Sequence, residues 1–180
     1  CDLHFIDSNP LKVCSNKRIF DHKVCAGFTR RGKSSMGYFF GFKLHMVCDA
    51  LGRLVSLMIT PGNIDDRKFV LRLLKGLKGL VVADAGYLSK ELMTQLFKQG
   101  ILFFTGVRKN MKRLMTHAQH QILKLRQRAE GVFSVLKHRL NIESPIARSP
   151  AGYFSRCIFP CLAYIFHQHF QHRQNVAFVS

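Results

Sequence analysis

Residues 80–87 read Leu80-Val81-Val82-Ala83-Asp84-Ala85-Gly86-Tyr87, four apolar residues in a row followed by an acid and then a glycine. A wholly apolar run this short, closed by turn-forming residues, predicts a buried strand with an acid at its exit. The chain beyond it agrees. Ser89 is placed to cap a helix with Leu92, Met93, Leu96 and Phe97 apolar, Gly100 ends that helix, and Ile101 to Phe104 is one more buried strand. Upstream, Leu3 to Ile6 repeats the first pattern: a short apolar strand that ends on Asp7, with Asn9-Pro10 closing it.

Between these segments, residues 11–35 carry Gly27, Gly32, Ser34 and Ser35 and predict a polar loop. Tyr38 to Cys48 is aromatic and β-branched, Asp49-Ala50-Leu51-Gly52 is a hairpin turn, and Leu54 to Thr60 returns as the second arm until Pro61-Gly62 stops it. Asn63 or Asp65 can cap a helix running to about Leu74. Residues 105–118 form a basic connection with Arg108, Lys109, Lys112 and Arg113; a long helix over roughly 119–140 and an apolar helix over about 151–170 complete the chain. Antiparallel strands followed by strand–helix alternation predict an α/β domain, a mixed sheet with helices packed on it. No repeat or linker divides the 180 residues, so residues 1–180 are expected to form a single domain.

Composition narrows the partners. With 47% hydrophobic and 21% charged residues the chain is neither a disordered tail nor a coiled-coil rod. Its 28 Lys and Arg stand against 10 Asp and Glu, a formal charge of +18, which points to a polyanion and most often to nucleic acid. A membrane is the weaker alternative. The longest apolar run, Ile158 to Phe166, is too short to span a bilayer, and Cys1-Asp2-Leu3-His4 lacks the basic head and apolar core of a signal peptide. Six scattered cysteines suit a reducing cytoplasm better than a disulfide scaffold.

In so basic a chain each acid needs a reason. On a helical wheel of the 119–140 segment with Ala129 at zero, Ile122, Leu125, Val132, Phe133, Leu136 and Leu140 fall within about 60° of it, a buried stripe. Arg126, Glu130 and Lys137 lie on one shoulder, between about 60° and 100°, which holds Glu130 next to the core and beside two cations. Asp7 and Asp84, on adjacent strand ends, would bring two carboxylates close enough to need a proton or a cation between them. Oxygen ligands suit Mg²⁺, and two such ions about 3.5–4 Å apart can clamp an in-line phosphodiester displacement.

The runs Phe5-Ile6-Asp7-Ser8-Asn9-Pro10-Leu11-Lys12-Val13-Cys14, Gly41-Phe42-Lys43-Leu44-His45, Thr60-Pro61-Gly62-Asn63-Ile64-Asp65-Asp66 and Ala83-Asp84-Ala85-Gly86-Tyr87, then Arg126 with Glu130 and Lys137, resemble a bacterial insertion-sequence transposase of the Asp-Asp-Glu class, most nearly insertion-sequence family nine-eight-two. The resemblance runs from about residue 3 to residue 170. It implies a ribonuclease-H-like mixed five-stranded sheet flanked by helices, with Asp7, Asp84 and Glu130 as catalytic, metal-binding triad for two Mg²⁺ or Mn²⁺ ions. It implies metal-dependent hydrolysis at transposon ends, strand transfer into double-stranded target DNA, a homodimer on DNA, and a cytoplasmic, nucleoid-associated bacterial protein. It departs from the family at Leu123, where a Tyr is expected, and at Ala85, where a basic residue is common. The family's usual DNA-recognition region before the first Asp is absent here, so the chain reads as an N-terminally truncated catalytic part.

The candidate DNA contacts are Lys12, Lys17, Arg18, Arg30, Arg31 and Lys33 in the basic loop, Lys43 and His45 on one strand face, and Arg126 and Lys137 beside Glu130. Plainer readings stand beside each. Asp7 and Asp84 can be turn caps, Glu130 a surface ion pair with Arg126, Asp65 and Asp66 helix-start residues, and Lys43 and His45 part of a solvated face. Cys157, Cys161, His167, His169 and His172 invite a zinc site, but His172 lies about 16 Å along a helix from Cys161, so core cysteines are the better reading. The rival functions are an inactive truncated transposase remnant that only binds DNA and a zinc-bearing, RNA-binding protein.

Overall fold

The computed structural model describes residues 2–34, 37–106, 117–143 and 147–177. The cations of the expected basic connection, Arg108, Lys109, Lys112 and Arg113, lie outside the described residues, as do the side chains of Leu123 and His172. Six strands are present among the described residues: β1 (Leu3–Cys14), β2 (Arg30–Ser34), β3 (Gly37–Asp49), β4 (Leu54–Pro61), β5 (Gly79–Ala83) and β6 (Ile101–Thr105). The helices are α1 (Val70–Leu73), α2 (Lys90–Lys98), α3 (His117–Leu125), α4 (Gln127–His138) and α5 (Pro150–Ala177). The sheet runs β2-β3-β1-β5-β6 with β4 also on β3. Its β2–β3 pair is antiparallel and its β1–β5 and β5–β6 pairs are parallel, the expected mixed α/β sheet.

The chain divides into two compact units. The first comprises Cys1–Asn9, Leu44–Thr60 and Ile64–Val132. Here Leu3, His4 and Phe5 pair with Leu80, Val81 and Val82, and Gly79 to Ala83 pair in turn with Ile101 to Thr105. Ile6, Val47, Val70, Leu74, Val81, Ala83, Leu96 and Ile101 pack as its core. The hairpin turn forms as expected, because the Asp49 carboxylate accepts from the Leu51 and Arg53 amides, each at 2.9 Å. Ser89 caps α2 by accepting from Leu92 N at 3.4 Å, and Leu92 and Leu96 are buried, but Phe97 is exposed. The segment after Pro61-Gly62 is a 3₁₀ turn, Asp66–Phe69, capped by Asp65 and continued by the single turn of α1.

The second unit comprises Pro10–Lys43, Pro61–Asn63 and Phe133–Ser180. Its core holds Leu11, Phe39, Phe42, Phe133, Leu136, Tyr153, Cys157 and Cys161. The Tyr153 hydroxyl donates to Leu11 O at 3.0 Å, and the Phe42 ring lies 5.5 Å from Tyr153 and 5.1 Å from Phe154. Cys157 and Cys161 are core residues, and no metal-holding group of three His, Cys, Asp or Glu exists among the described residues.

Three expectations change. The strand expected to stop at Asn9-Pro10 runs on to Cys14; the β5 register ends at Phe5, so on that side Pro10 removes no ladder donor. The expected loop over 11–35 contributes strand residues 11–14 and all of β2. β2 escaped notice because it is an edge strand, and edges are where charged side chains such as Arg30, Arg31 and Lys33 belong. The long helix expected over 119–140 is divided at Arg126 into α3 and α4. Ala129, Val132, Phe133 and Leu136 keep the buried stripe, while Leu125, before the break, is 40% exposed.

Candidate functional site

All the residues of the expected triad belong to the first unit. Asp7 stands in β1 just after Phe5 and Ile6, both fully buried, and is itself partly buried. Its Oδ1 accepts from the Ser8 amide at 2.9 Å. Asp84 follows the last residue of β5, where the chain leaves the sheet, and its Oδ1 accepts from Ala85 N at 2.8 Å, capping the short turn Ala85–Tyr87. Glu130 lies in the first turn of α4, where the positive end of the helix dipole favours a carboxylate. The break before α4 converts a mid-helix acid into an N-terminal one.

Arg126, at the break, joins them. Its Nη1 reaches Asp84 Oδ1 at 3.0 Å and its Nη2 reaches Glu130 Oε1 at 2.9 Å. One guanidinium thus holds two of the acids and also lowers the cost of ionising Asp7. The Asp7 carboxyl is nonetheless pushed up to about 6, first by burial and then by the charges of Asp84 and Glu130, against the Ser8 amide and Arg126, which favour the anion. Arg126 itself is held more firmly protonated, because its hydrogen bond to Glu130 and the surrounding acids outweigh its partial burial. Carboxylate oxygens are the donors that hard divalent ions take. In this arrangement the guanidinium occupies the place between Asp84 and Glu130, and no three acids are drawn together as ligands among the described residues.

Other expected site residues fall differently. Glu130 is about half exposed (53%) rather than set against the core, because the helix restarts at residue 127. Lys137, expected beside Glu130, pairs with Glu143 at 2.9 Å. His45, expected on a face open to DNA, is 1% exposed, its Nε2 within 2.8 Å of Thr60 Oγ1 and its ring 6.5 Å from Phe69. It is a core histidine, because the strand face it shares is covered on this side. Lys43 is half-buried, and Lys12, Lys17, Arg18, Arg30, Arg31 and Lys33 are exposed.

Sequence reasoning missed Ser8 and Asp66. The Ser8 hydroxyl donates to Asp66 Oδ2 at 2.7 Å, so a fourth carboxylate is tied to the residue that orients Asp7. The buried Tyr87 phenol is held protonated by burial, with Asp66, Asp7 and Asp84 adding to the effect. The available signal was the Asp65-Asp66 pair: Asp65 does the capping and pairs with Arg67, which leaves Asp66 for another task.

The mixed sheet thus carries an acid inside its first strand and an acid at the exit of a parallel neighbour, with a third acid on a late helix. The family model for the transposase DDE domain matches residues 1–150, and the chain belongs to that family. No curated protein matches it. Among solved structures it is similar to a piggyBac transposase in a synaptic complex with hairpin DNA, at 12% identity and a TM-score of 0.55. That similarity covers 93% of this chain and 47% of the piggyBac chain, so this chain spans about half the length of that relative. No helix among the described residues is long and apolar enough to cross a membrane.

Proposed function

We propose that the chain is the catalytic domain of a DNA transposase of insertion-sequence family nine-eight-two, which hydrolyses phosphodiester bonds at transposon ends and transfers the freed strand into target DNA. The observation that carries this reading is Arg126, which pairs with both Asp84 and Glu130 and whose charge also acts on the buried Asp7 carboxyl. These three carboxylates would hold two Mg²⁺ or Mn²⁺ ions, which when bound activate the attacking oxygen and relieve charge on the leaving one. The chain's own residues prepare that site. Burial makes an unneutralised Asp7 anion costly, the Ser8 amide fixes the direction of its carboxylate, and Arg126 keeps Asp84 and Glu130 within reach of each other. The test is Mn²⁺-dependent nicking of a supercoiled plasmid. A DNA-binding remnant that does not cut is the second reading, favoured by the guanidinium that stands between two of the acids; absence of nicking decides for it.

For double-stranded DNA as partner the support is the chain's own charge, +18, and the exposed row Arg30, Arg31 and Lys33 on β2 with Lys12, Lys17 and Arg18 nearby in sequence. Duplex affinity is expected to fall steeply with salt, the slope of log K against log salt changing by about 0.9 for each phosphate contact. Replacing Arg30, Arg31 and Lys33 by Ala flattens the slope and leaves metal affinity intact; an unchanged slope places duplex DNA on another face.

The helix α5 supports a homodimer. From Cys157 to Phe170 it carries no Asp, Glu, Lys or Arg, and Ile158, Phe159, Leu162, Ile165, Phe166 and Phe170 are exposed. At usual side-chain areas these amount to roughly 600 Å² of apolar surface, most of the ~800 Å² per partner of a stable interface. An uncharged stripe is also where two copies carrying +18 each can meet with least repulsion. Light scattering at micromolar concentration is expected to give twice the 20.6 kDa chain mass, and a monomer mass rejects the dimer.

A further inference from the structure

The second unit contains a cleft of ≈ 930 Å³, at the large end of the range for small-ligand sites. Lys12, Arg18, Lys23 and Arg148 line it together with Tyr38 and His22. Of the two acids in the lining, Glu143 is engaged by Lys137 at 2.9 Å, so the balance of the wall is positive. The walls are tied to one another: Asn16 Nδ2 donates to Tyr38 O at 2.7 Å, which fastens the turn after β1 to the start of β3. Tyr38 is 63% exposed, and Lys33 Nζ stands 5.6 Å from the centre of its ring. His22 Nε2 is buried and has no hydrogen-bond partner among the described residues.

We infer that this cleft binds an unpaired nucleotide of a DNA strand, an inference that rests on the DNA reading above and adds a second, non-catalytic site to it. The phosphates of an intact duplex lie on a convex surface and need only a row of cations, such as β2 supplies. A concave site that joins cations to an exposed aromatic ring is built for a single strand, whose bases can leave the stack and lie on the ring while the phosphates meet Lys and Arg. An acidic peptide would use the cations but has no flat group for Tyr38.

The test is fluorescence anisotropy with a labelled ten-nucleotide oligothymidylate and, separately, a blunt duplex, in EDTA so that no cleavage occurs. Tyr38→Ala is expected to weaken the single strand by roughly fivefold or more, the range of base stacking on an aromatic ring, and the duplex by less than about twofold. Tyr38→Phe, which keeps the ring, is expected to restore single-strand binding, and melting curves of both variants verify that they fold. Equal loss for strand and duplex, no loss for the strand, or failure of Phe to restore it overturns the proposal. Displacement of the oligonucleotide by free thymidine monophosphate at matched nucleotide concentration overturns it too, because the cleft would then serve a mononucleotide. Plasmid nicking keeps the two readings apart. A wild-type chain that nicks but shows no Tyr38 effect loses the cleft and keeps the transposase. One that shows the Tyr38 effect but never nicks keeps the cleft and loses the transposase.

Discussion

Glu130→Gln and Asp7→Asn should both abolish Mn²⁺-dependent plasmid nicking, by roughly 10²-fold or more, while moving stability in different ways. Glu130 loses only a half-exposed ion pair with Arg126, so its unfolding free energy should change by less than about 0.5 kcal/mol. Asp7 is different because its carboxyl is raised from 3.8 to about 6 in the folded chain. The folded state then binds more protons than the unfolded state between those values, so stability falls as pH rises through that window. The cost is absent below about pH 4 and complete above about pH 6, where a shift of this size corresponds to about 3 kcal/mol. Asp7→Asn should remove the slope and stabilise the metal-free protein at neutral pH. Added Mn²⁺ should stabilise the wild type above pH 6 and leave the Asn variant nearly unchanged. Melting curves from pH 4 to 8, with and without Mn²⁺, alongside nicking, decide the matter. Equal nicking by wild type and Glu130→Gln would make Glu130 a structural partner of Arg126 and nothing more.

Gly41→Ala should be a strongly damaging single-methyl change in the second unit. A Cβ at Gly41 would run into the Leu11 carbonyl oxygen, with Leu11 C at 3.0 Å and Lys12 Cα at 3.1 Å, all of them backbone. The Gly41 carbonyl also accepts from Gly62 N at 2.9 Å, and a Cβ at Gly62 would in turn stand 2.9 Å from that oxygen. Strand backbones approach here as closely as only glycine allows, so the methyl forces β1 and β3 apart beside the buried Leu11 and Phe42. A loss of about 3 kcal/mol is expected, a fall of about 6–12 °C in Tm for a chain of this size. Gly131→Ala is the control of opposite sign. Gly131 lies inside α4, nothing stands within 4 Å of its Cβ position, and Ala should add about 0.5–1 kcal/mol. Equal Tm for wild type and Gly41→Ala would show that the strands can relax and that the glycine is dispensable.

The parts of the fold legible in the sequence were those with a strong local signal. Leu80 to Ala83 and Ile101 to Phe104 are continuous apolar runs, the hairpin has an Asp that satisfies its own turn, and α2 has a Ser cap and a Gly stop. The acids proposed for the site drew notice for a related reason. In a chain of 28 cations, an acid beside a buried apolar run, such as Asp7 after Ile6 or Asp84 after Ala83, stands out against its surroundings. β2 was hidden because an edge strand tolerates charges on its surface, so Arg30-Arg31-Gly32-Lys33 has the composition of a loop. His45 was misjudged because alternation says which residues share a strand face, but not whether another element covers that face.

By itself, then, the sequence determined the class: a mixed α/β domain, strongly basic, with an acid at the exit of one buried strand. Local periodicity, capping and charge are properties of neighbours along the chain, and they survive without any knowledge of long-range contacts. Only the tertiary structure decided that the helix breaks at Arg126 and that this guanidinium reaches Asp84, 42 residues earlier, as well as Glu130. It alone tied Asp66 to Ser8 across 58 residues and raised the Asp7 carboxyl by burial. The reason is that burial and charge–charge distance are set by which segments pack together, and a side chain's neighbours in sequence do not include them.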